Sequence, residues 1–376
     1  MSELKVDKVS PRTGNYVALN TVGSKNIIIN GDMSIAQRGT TATGLGNGDT
    51  GYHTVDRFEF FEGGSTTGEF TQSQSTDVPS GQGFGYSLKM DCTTADASLG
   101  ASDEIQFRQK FEGQNLQYLK KGTANAESLT LSFWVKSNKT GTYICELYEF
   151  DNTRQISKSY TIDSADTWEK KTITFAGDTS GTTLDNNNAV SLQCTFWLGA
   201  GSNFTSGTLS DTWSSVTSAN RAVGQVNLAD NTANEWYITG VQLEAGTTAS
   251  DFEFLPHDVN LQRCYRYCYR INGNATDEQL TSTGGFIFST TISSINYTFH
   301  PPLRAVPTVS ESNSLEQVTN AAMSLSSLFD DNQVGDCNSV GVAFDADSGT
   351  PFTTNTFSNM RLQNTTAAFI EFSAEL

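Results

Sequence analysis

From Tyr86 to Glu244 the chain repeats one pattern: apolar and polar residues alternate with period two, in short runs separated by turn residues. Successive side chains on a β-strand point to opposite faces, so each run sets one apolar face against a core. Ile105, Phe107 and Phe111 face one way and Gln106, Arg108 and Lys110 the other. Leu129, Leu131, Phe133 and Val135 alternate with Thr130, Ser132, Trp134 and Lys136. Val190, Leu192, Cys194, Phe196 and Leu198 alternate with Ser191, Gln193, Thr195 and Trp197, and Trp168 to Phe175 supplies a further strand. About eight such runs predict two antiparallel sheets packed face to face, a jelly roll or related sandwich. Glu235 to Glu244 is different. Tyr237, Thr239, Val241 and Leu243 fall on one side and Trp236 and Ile238 on the other, so both faces are apolar and the strand is expected to be central.

Composition agrees with folded β-domains. Aromatic residues reach 11% and charged residues only 17% of the 376, and long helix-forming runs of Ala, Leu, Glu and Lys are missing. A net charge of −18 argues against nucleic acid as a partner, because phosphate recognition needs clustered Lys and Arg. It argues equally against docking on an anionic membrane. Membrane insertion is not expected either, since no apolar run approaches the roughly 18 residues a span needs. No signal peptide precedes Lys5, so folding is expected in a reducing cytoplasm. There Cys92, Cys145, Cys194, Cys264, Cys268 and Cys337 read as free thiols, and the Cys264/Cys268 pair, with no second pair near it, is a poor zinc site.

Three segments follow from these patterns. Residues 1–25 hold two short alternating stretches around Pro11 to Gly14, too little to bury a core alone. Residues 26–255 hold the jelly-roll-like sandwich, opening with an apolar run, Asn26 to Asn30, that reads as a strand entering an Asn-Gly-Asp turn. Residues 256–376 hold a second, smaller β-sandwich. Its one expected helix is Asn260 to Arg270, where Leu261, Cys264, Tyr265 and Cys268 share a 3.6-period stripe. Strands are expected at Phe286–Thr290, Ile295–His300, Ser339–Phe344 and Ala367–Phe372.

Several strings resemble one family. ELKVDKVSPRTG at the N-terminus, NIIINGDMSIAQRGT with Asp56-Arg57-Phe58 downstream, QLEAGTTASDFEFLP followed by the cluster Arg263-Cys264-Tyr265-Arg266-Tyr267, and HPPLRAVPTV are similar to motifs in tail and fibre proteins of tailed bacterial viruses, particularly those of cyanobacteria. Leu303 stands where that family usually has Met. SLTLSFWVKS also resembles strands of carbohydrate-binding sandwich modules. The resemblance implies a virion structural protein made in the host cytoplasm, most simply a homotrimeric tail fibre. It implies that residues 1–25 attach the chain to other tail proteins and that residues 256–376, with polar loops Asn272 to Gly285 and Asp330 to Asn338, form the tip that meets a host surface glycan or protein. A tail sleeve or capsid decoration, or a polysaccharide-degrading spike, would share the motifs.

Chemistry is sparse. The three histidines, His53, His257 and His300, sit in no HExxH string and near no GxSxG, so neither zinc hydrolysis nor a triad has its parts. No carboxylate pair can be singled out for glycoside cleavage; no enzyme, cofactor or metal is expected. Asp330 to Asp336 and Asp345 to Gly349 gather oxygen ligands but lack the closing Glu of a calcium loop. Candidate glycan or subunit contacts are Trp134 and Trp197, each opposite an apolar stripe and so either solvent-facing or buried against another subunit, and Trp213, which sits in a polar loop.

Overall fold

The alternating runs form strands in the computed structural model, which describes residues 25–273, 285–287, 289–312, 315–317, 321–330, 336–346, 351–352, 354, 357–358, 360–362 and 368–376. The chain divides into two compact units, Met1–Pro256 and His257–Leu376. The attachment arm expected over residues 1–25, except Lys25, lies outside the described residues. So do most of both polar loops assigned to the tip, and parts of both Asp-rich loops.

Among the described residues the first unit has twelve strands: β1 (Thr41–Gly46), β2 (Glu59–Gly63), β3 (Glu69–Ser75), β4 (Ser87–Thr94), β5 (Glu104–Glu112), β6 (Leu129–Ser137), β7 (Gly141–Glu149), β8 (Arg154–Ile162), β9 (Glu169–Phe175), β10 (Val190–Ala200), β11 (Ser214–Ser215) and β12 (Glu235–Ala245). A one-turn helix, α1 (Ser202–Thr205), lies between β10 and β11. Two six-stranded sheets result, in the orders β1-β3-β4-β12-β6-β9 and β11-β8-β7-β10-β5-β2, with antiparallel pairing throughout. Aromatic rings join the sheets: Phe133 of β6 meets Phe196 of β10 at 5.1 Å, and Trp236 of β12 meets Phe107 of β5 at 5.8 Å. Each such side chain taken fully from water contributes about 1.5–3 kcal/mol. The first unit is an all-β, jelly-roll-like sandwich.

β12 is central, between β4 and β6, but the expected split of its side chains is corrected. A bulge breaks its register between Thr239 and Gln242, with Gly240 at φ +61°. The extra residue reverses the alternation, so Trp236, Ile238, Val241 and Leu243 all enter one core. The apparent second apolar face was the same face read across a bulge. Only glycine fits here, because a Cβ on Gly240 would lie 2.6 Å from the Phe84 ring.

The second unit opens with helix α2 (His257–Tyr265), three residues earlier than expected and five shorter at its end. The chain turns at Arg266 and Tyr267, where Tyr267 N–H donates to the Cys264 carbonyl at 2.9 Å. Cys268, the last residue of the expected helical stripe, is instead the first residue of β13 (Cys268–Asn272). Strand β22 (Phe369–Ser373) lies between β13 and β16 (Thr308–Glu311). A second sheet contains β14 (Gly285–Ile287), β15 (Ile292–Leu303), β17 (Leu315–Gln317), β18 (Ala321–Asp330), β19 (Cys337–Ala346), β20 (Phe357–Ser358) and β21 (Met360–Leu362), in the order β20-β14-β15-β19-β18-β17-β21. Phe372 of β22 packs on Tyr297 and Phe299 of β15 at 4.7 and 5.1 Å, so this unit too is a β-sandwich behind a short helix.

Candidate functional site

The fold brings the motif residues together. Asn26 and Gly31 lie against β12, more than two hundred residues downstream. The buried Asn26 carboxamide accepts from Ile28 N–H and Leu243 N–H, both at 3.0 Å, and donates to the Val241 carbonyl at 3.1 Å. Val241 N–H donates to the Gly31 carbonyl at 2.9 Å, an approach so close that a Cβ on Gly31 would stand 2.0 Å from the Val241 oxygen. The expected strand over Asn26 to Asn30 is therefore absent, because side-chain amides take the place of a backbone ladder. Asn30, at φ +61°, bonds both Ile35 and Asp56, and Asp56 in turn holds Gln37. On the other side, Glu253 accepts from Asn26 N–H at 3.0 Å, and Ser250 joins Lys25 to Glu244. In the second unit Arg304 plays the same part. Its guanidinium donates to the carbonyls of Ala374 and Glu375, and its N–H to the Arg266 carbonyl. These signature residues fasten the fold; their polar groups face one another.

Of the three tryptophans singled out, Trp197 is corrected. It is fully buried inside its own chain, available neither to a glycan nor to a second subunit. The excursion between β10 and β12 folds back over the sheet. Phe204 of α1, Leu209 and Ala222 close on Trp197, its indole N–H donates to Glu146 Oε2 at 3.1 Å, and the Arg221 guanidinium stands 5.0 Å over the ring. Glu146, itself without exposure, receives Arg221 through two bonds of 2.8 and 2.9 Å. Trp134 is half-buried on the outer face of the other sheet, beside Thr239 and Lys170.

Trp213 lines a small hollow of about 20 Å³ at one end of the sandwich, between the sheets, room for about one water. Leu129, Leu184 and Leu192 supply apolar wall, and Lys121, Glu149 and Asp178 a charged side. The indole is fixed by its N–H, which donates to the Ala176 carbonyl at 2.7 Å. Lys121 Nζ lies 2.9 Å from Glu149 Oε2 and 3.7 Å from Asp178 Oδ2, and Arg154 grips Asp178 with bonds of 2.6 and 3.0 Å. Both carboxylates are only 1% exposed. Burying two ion pairs is a weak route to stability, since desolvation offsets most of the attraction. Reading the sequence missed it. One signal was present: Glu149 stands in phase with the core residues Tyr143, Cys145 and Leu147 of β7, where a charge is out of place. Among the described residues no group of three or more His, Cys, Asp or Glu is placed to hold a metal.

One carboxyl elsewhere in this unit titrates near neutrality. Burial, with Asp103 and Asp96 adding to it, pushes Glu62 up to about 7 from its ordinary 4.5, against hydrogen bonds from the Gly48 and Asn47 backbone. A raised folded-state value means stability that is full below the unfolded value and lost as pH rises through the folded one. The melting temperature of the first unit should therefore fall between about pH 4.5 and pH 7 more steeply in the wild type than in Glu62→Gln. Parallel melting curves for the two across that range would contradict it.

No protein-family model and no curated relative matches the chain. Among solved structures, tailspike protein 4 of bacteriophage CBA120 (enzymatically active domain) is 13% identical over 59% of this chain and 21% of its own, with a TM-score of 0.32. The match thus spans about a fifth of that tailspike's length. A putative sugar binding protein from Bacteroides thetaiotaomicron gives 13% identity, 58% and 99% coverage and 0.30. A family 11 carbohydrate-binding module from Clostridium thermocellum, in complex with a β-1,3-1,4-mixed-linked tetrasaccharide, gives 11%, 56% and 98%, and 0.27. Similarity at this level transfers no function.

Proposed function

We propose that the chain is a structural protein of a tailed bacterial virus particle, a homotrimeric tail fibre that attaches the particle to its host, with cyanobacteria as the hosts. One observation carries the reading. The strings that resemble tail and fibre proteins lie at opposite ends of the first sandwich, yet Asn26, Gly31, Val241, Leu243 and Glu253 join into one hydrogen-bonded clasp. The resemblance is thereby supported as a likeness of framework and not of scattered words. In this account residues 1–25 anchor the chain to the tail, both sandwiches project from it, and the protein works by binding without catalysis. Weak contacts repeated over three chains and several fibres would hold a particle that one contact could not.

Competition tests it. The purified full chain, mixed with host cells, should slow adsorption of the virus and release no reducing ends from host polysaccharide. Unchanged adsorption at saturating protein would remove the attachment role and favour a sleeve or decoration. Release of reducing ends would make the chain a spike enzyme.

A further inference from the structure

We propose that the outer face of the first sheet, at Trp134 and Lys170, binds a glycan through a sugar ring that carries a carboxylate or a sulfate ester. The biological setting rests on the attachment role above; the chemistry rests on the face itself. Four of the five tryptophans have their indoles engaged within the chain. Trp168 donates to Asp77 Oδ1, Trp197 to Glu146 Oε2 and Trp213 to the Ala176 carbonyl, while Trp236 packs on Phe107 and Phe196 in the core. Trp134 is the exception. It is half-buried, and among the described residues its N–H has no hydrogen-bond partner and its ring meets no other ring or cation. A covered indole uses both its apolar area and its N–H, so Trp134 is a contact with its partner still to come.

The neighbours of Trp134 define that partner. On β6 it stands directly across from Lys170 of β9 and from Thr239 of β12, and residues so paired share a face. Among the described residues β9 ends the sheet, so a long ligand can cross this edge without entering a pocket. Lys170 is exposed and has no ion-pair partner among the described residues. A lysine on an edge strand also discourages strand addition, which accounts for Lys170 but not for the open indole beside it. Toward β4 the charges of this face are already engaged. Asp77 holds Lys136 and the Trp168 N–H, and Lys89 Nζ lies 2.6 Å from Glu235 and 3.5 Å from Asp91. Lys136 stands 5.7 Å over the Trp168 ring and 4.1 Å over that of Tyr237. In the other direction Glu244 is buried and bonded by Ser250. These carboxylates match the lysines of the face, so overall charge does not draw an anion in; placement selects it. Trp134 and Lys170 present an apolar plane and two open donors, with Thr239 already donating to the Tyr86 carbonyl. The complement is a ring with C–H groups on its face and an anionic oxygen group at its edge, an acidic sugar. A neutral sugar would fill the plane and leave the ammonium to water.

The test titrates the full chain with methyl glucuronide, glucose 6-sulfate and methyl glucoside, followed by ligand-observed NMR. At least one anionic sugar should bind in the millimolar range, and about threefold more tightly than methyl glucoside, the size of effect a surface ion pair provides. The tighter of the two anionic sugars tells a uronate-bearing glycan from a sulfated one. The preference over glucoside should vanish in about 1 M sodium chloride, where the screening length falls to about 3 Å. Lys170→Gln should abolish the preference and keep glucoside binding. Trp134→Ala should weaken every sugar tenfold or more and Trp134→Phe less, and melting curves of the three variants confirm that they fold. The proposal is overturned if neither anionic sugar binds the wild type, if glucoside binds as tightly, if binding survives Trp134→Ala within twofold, or if Lys170→Gln keeps the preference. It is overturned too if Trp134→Ala turns a trimer into monomers in light scattering while the wild type binds no sugar, for the face is then a subunit interface. Adsorption assays separate this result from the attachment role. A wild-type chain that competes with virus yet binds none of these sugars removes the Trp134 site and leaves attachment standing. A chain that binds the anionic sugar through Trp134 and does not compete keeps the site and removes attachment.

Discussion

Replacing Asn26 with alanine should lower the stability of the first sandwich by about 4 kcal/mol, because it orphans the Ile28 N–H, the Leu243 N–H and the Val241 carbonyl at once, each costing about 1–3 kcal/mol when buried without a partner. For a unit of this size that corresponds to a fall of about 10 °C in melting temperature. Asn125→Ala, an exposed loop residue, should stay within about 0.5 kcal/mol. A loss below about 1 kcal/mol at Asn26 would show that the segment 25–40 rests on the sandwich without holding it. Thermal and urea unfolding of the full chain measure both.

Removing Arg221 should be as damaging for a different reason. Glu146 has no exposure, and Arg221 is its ion-pair partner under the Trp197 cover. Arg221→Ala strands that charge, at a cost of about 3–5 kcal/mol. It also takes the guanidinium from over Trp197 and Phe204, so protease cleavage within residues 202–222 should quicken. Arg221→Lys should recover only part, since an ammonium cannot make the paired bonds of the guanidinium. Removing both charges, as Arg221→Met with Glu146→Gln, should regain much of the loss, because no charge is stranded and the amide oxygen can still accept from the Trp197 N–H. If Arg221→Ala alone unfolds and resists protease like the wild type, the pair does not hold the cover down.

The strands were legible in the sequence because a sheet with one apolar face forces period two, and Leu129 to Val135 or Val190 to Leu198 could satisfy nothing else. Where reading failed, a side chain or an inserted residue had replaced the regular pattern. Asn26 and Asn30 do the work of a ladder, so an apolar run that looked like a strand is not one. The Gly240 bulge made one buried face look like two. The helical stripe ran on into Cys268 because a strand at that position also needs a buried side chain. Trp197 read as facing solvent or another subunit because its cover comes from residues up to 25 positions along the chain, and no local pattern announces it. The Trp213 hollow was half legible. The tryptophan stood out in a polar loop, but Lys121, Glu149 and Asp178 arrive from three other segments, and only the fold sets them beside it.

Imaging intact virus particles with the chain marked, by an antibody fragment or by fitting the sandwich into particle density, tests the central claim most directly. Threefold-related copies are expected on the tail, with residues 1–25 toward the particle. Copies spread over the head, or particles that contain none of the chain, would contradict it.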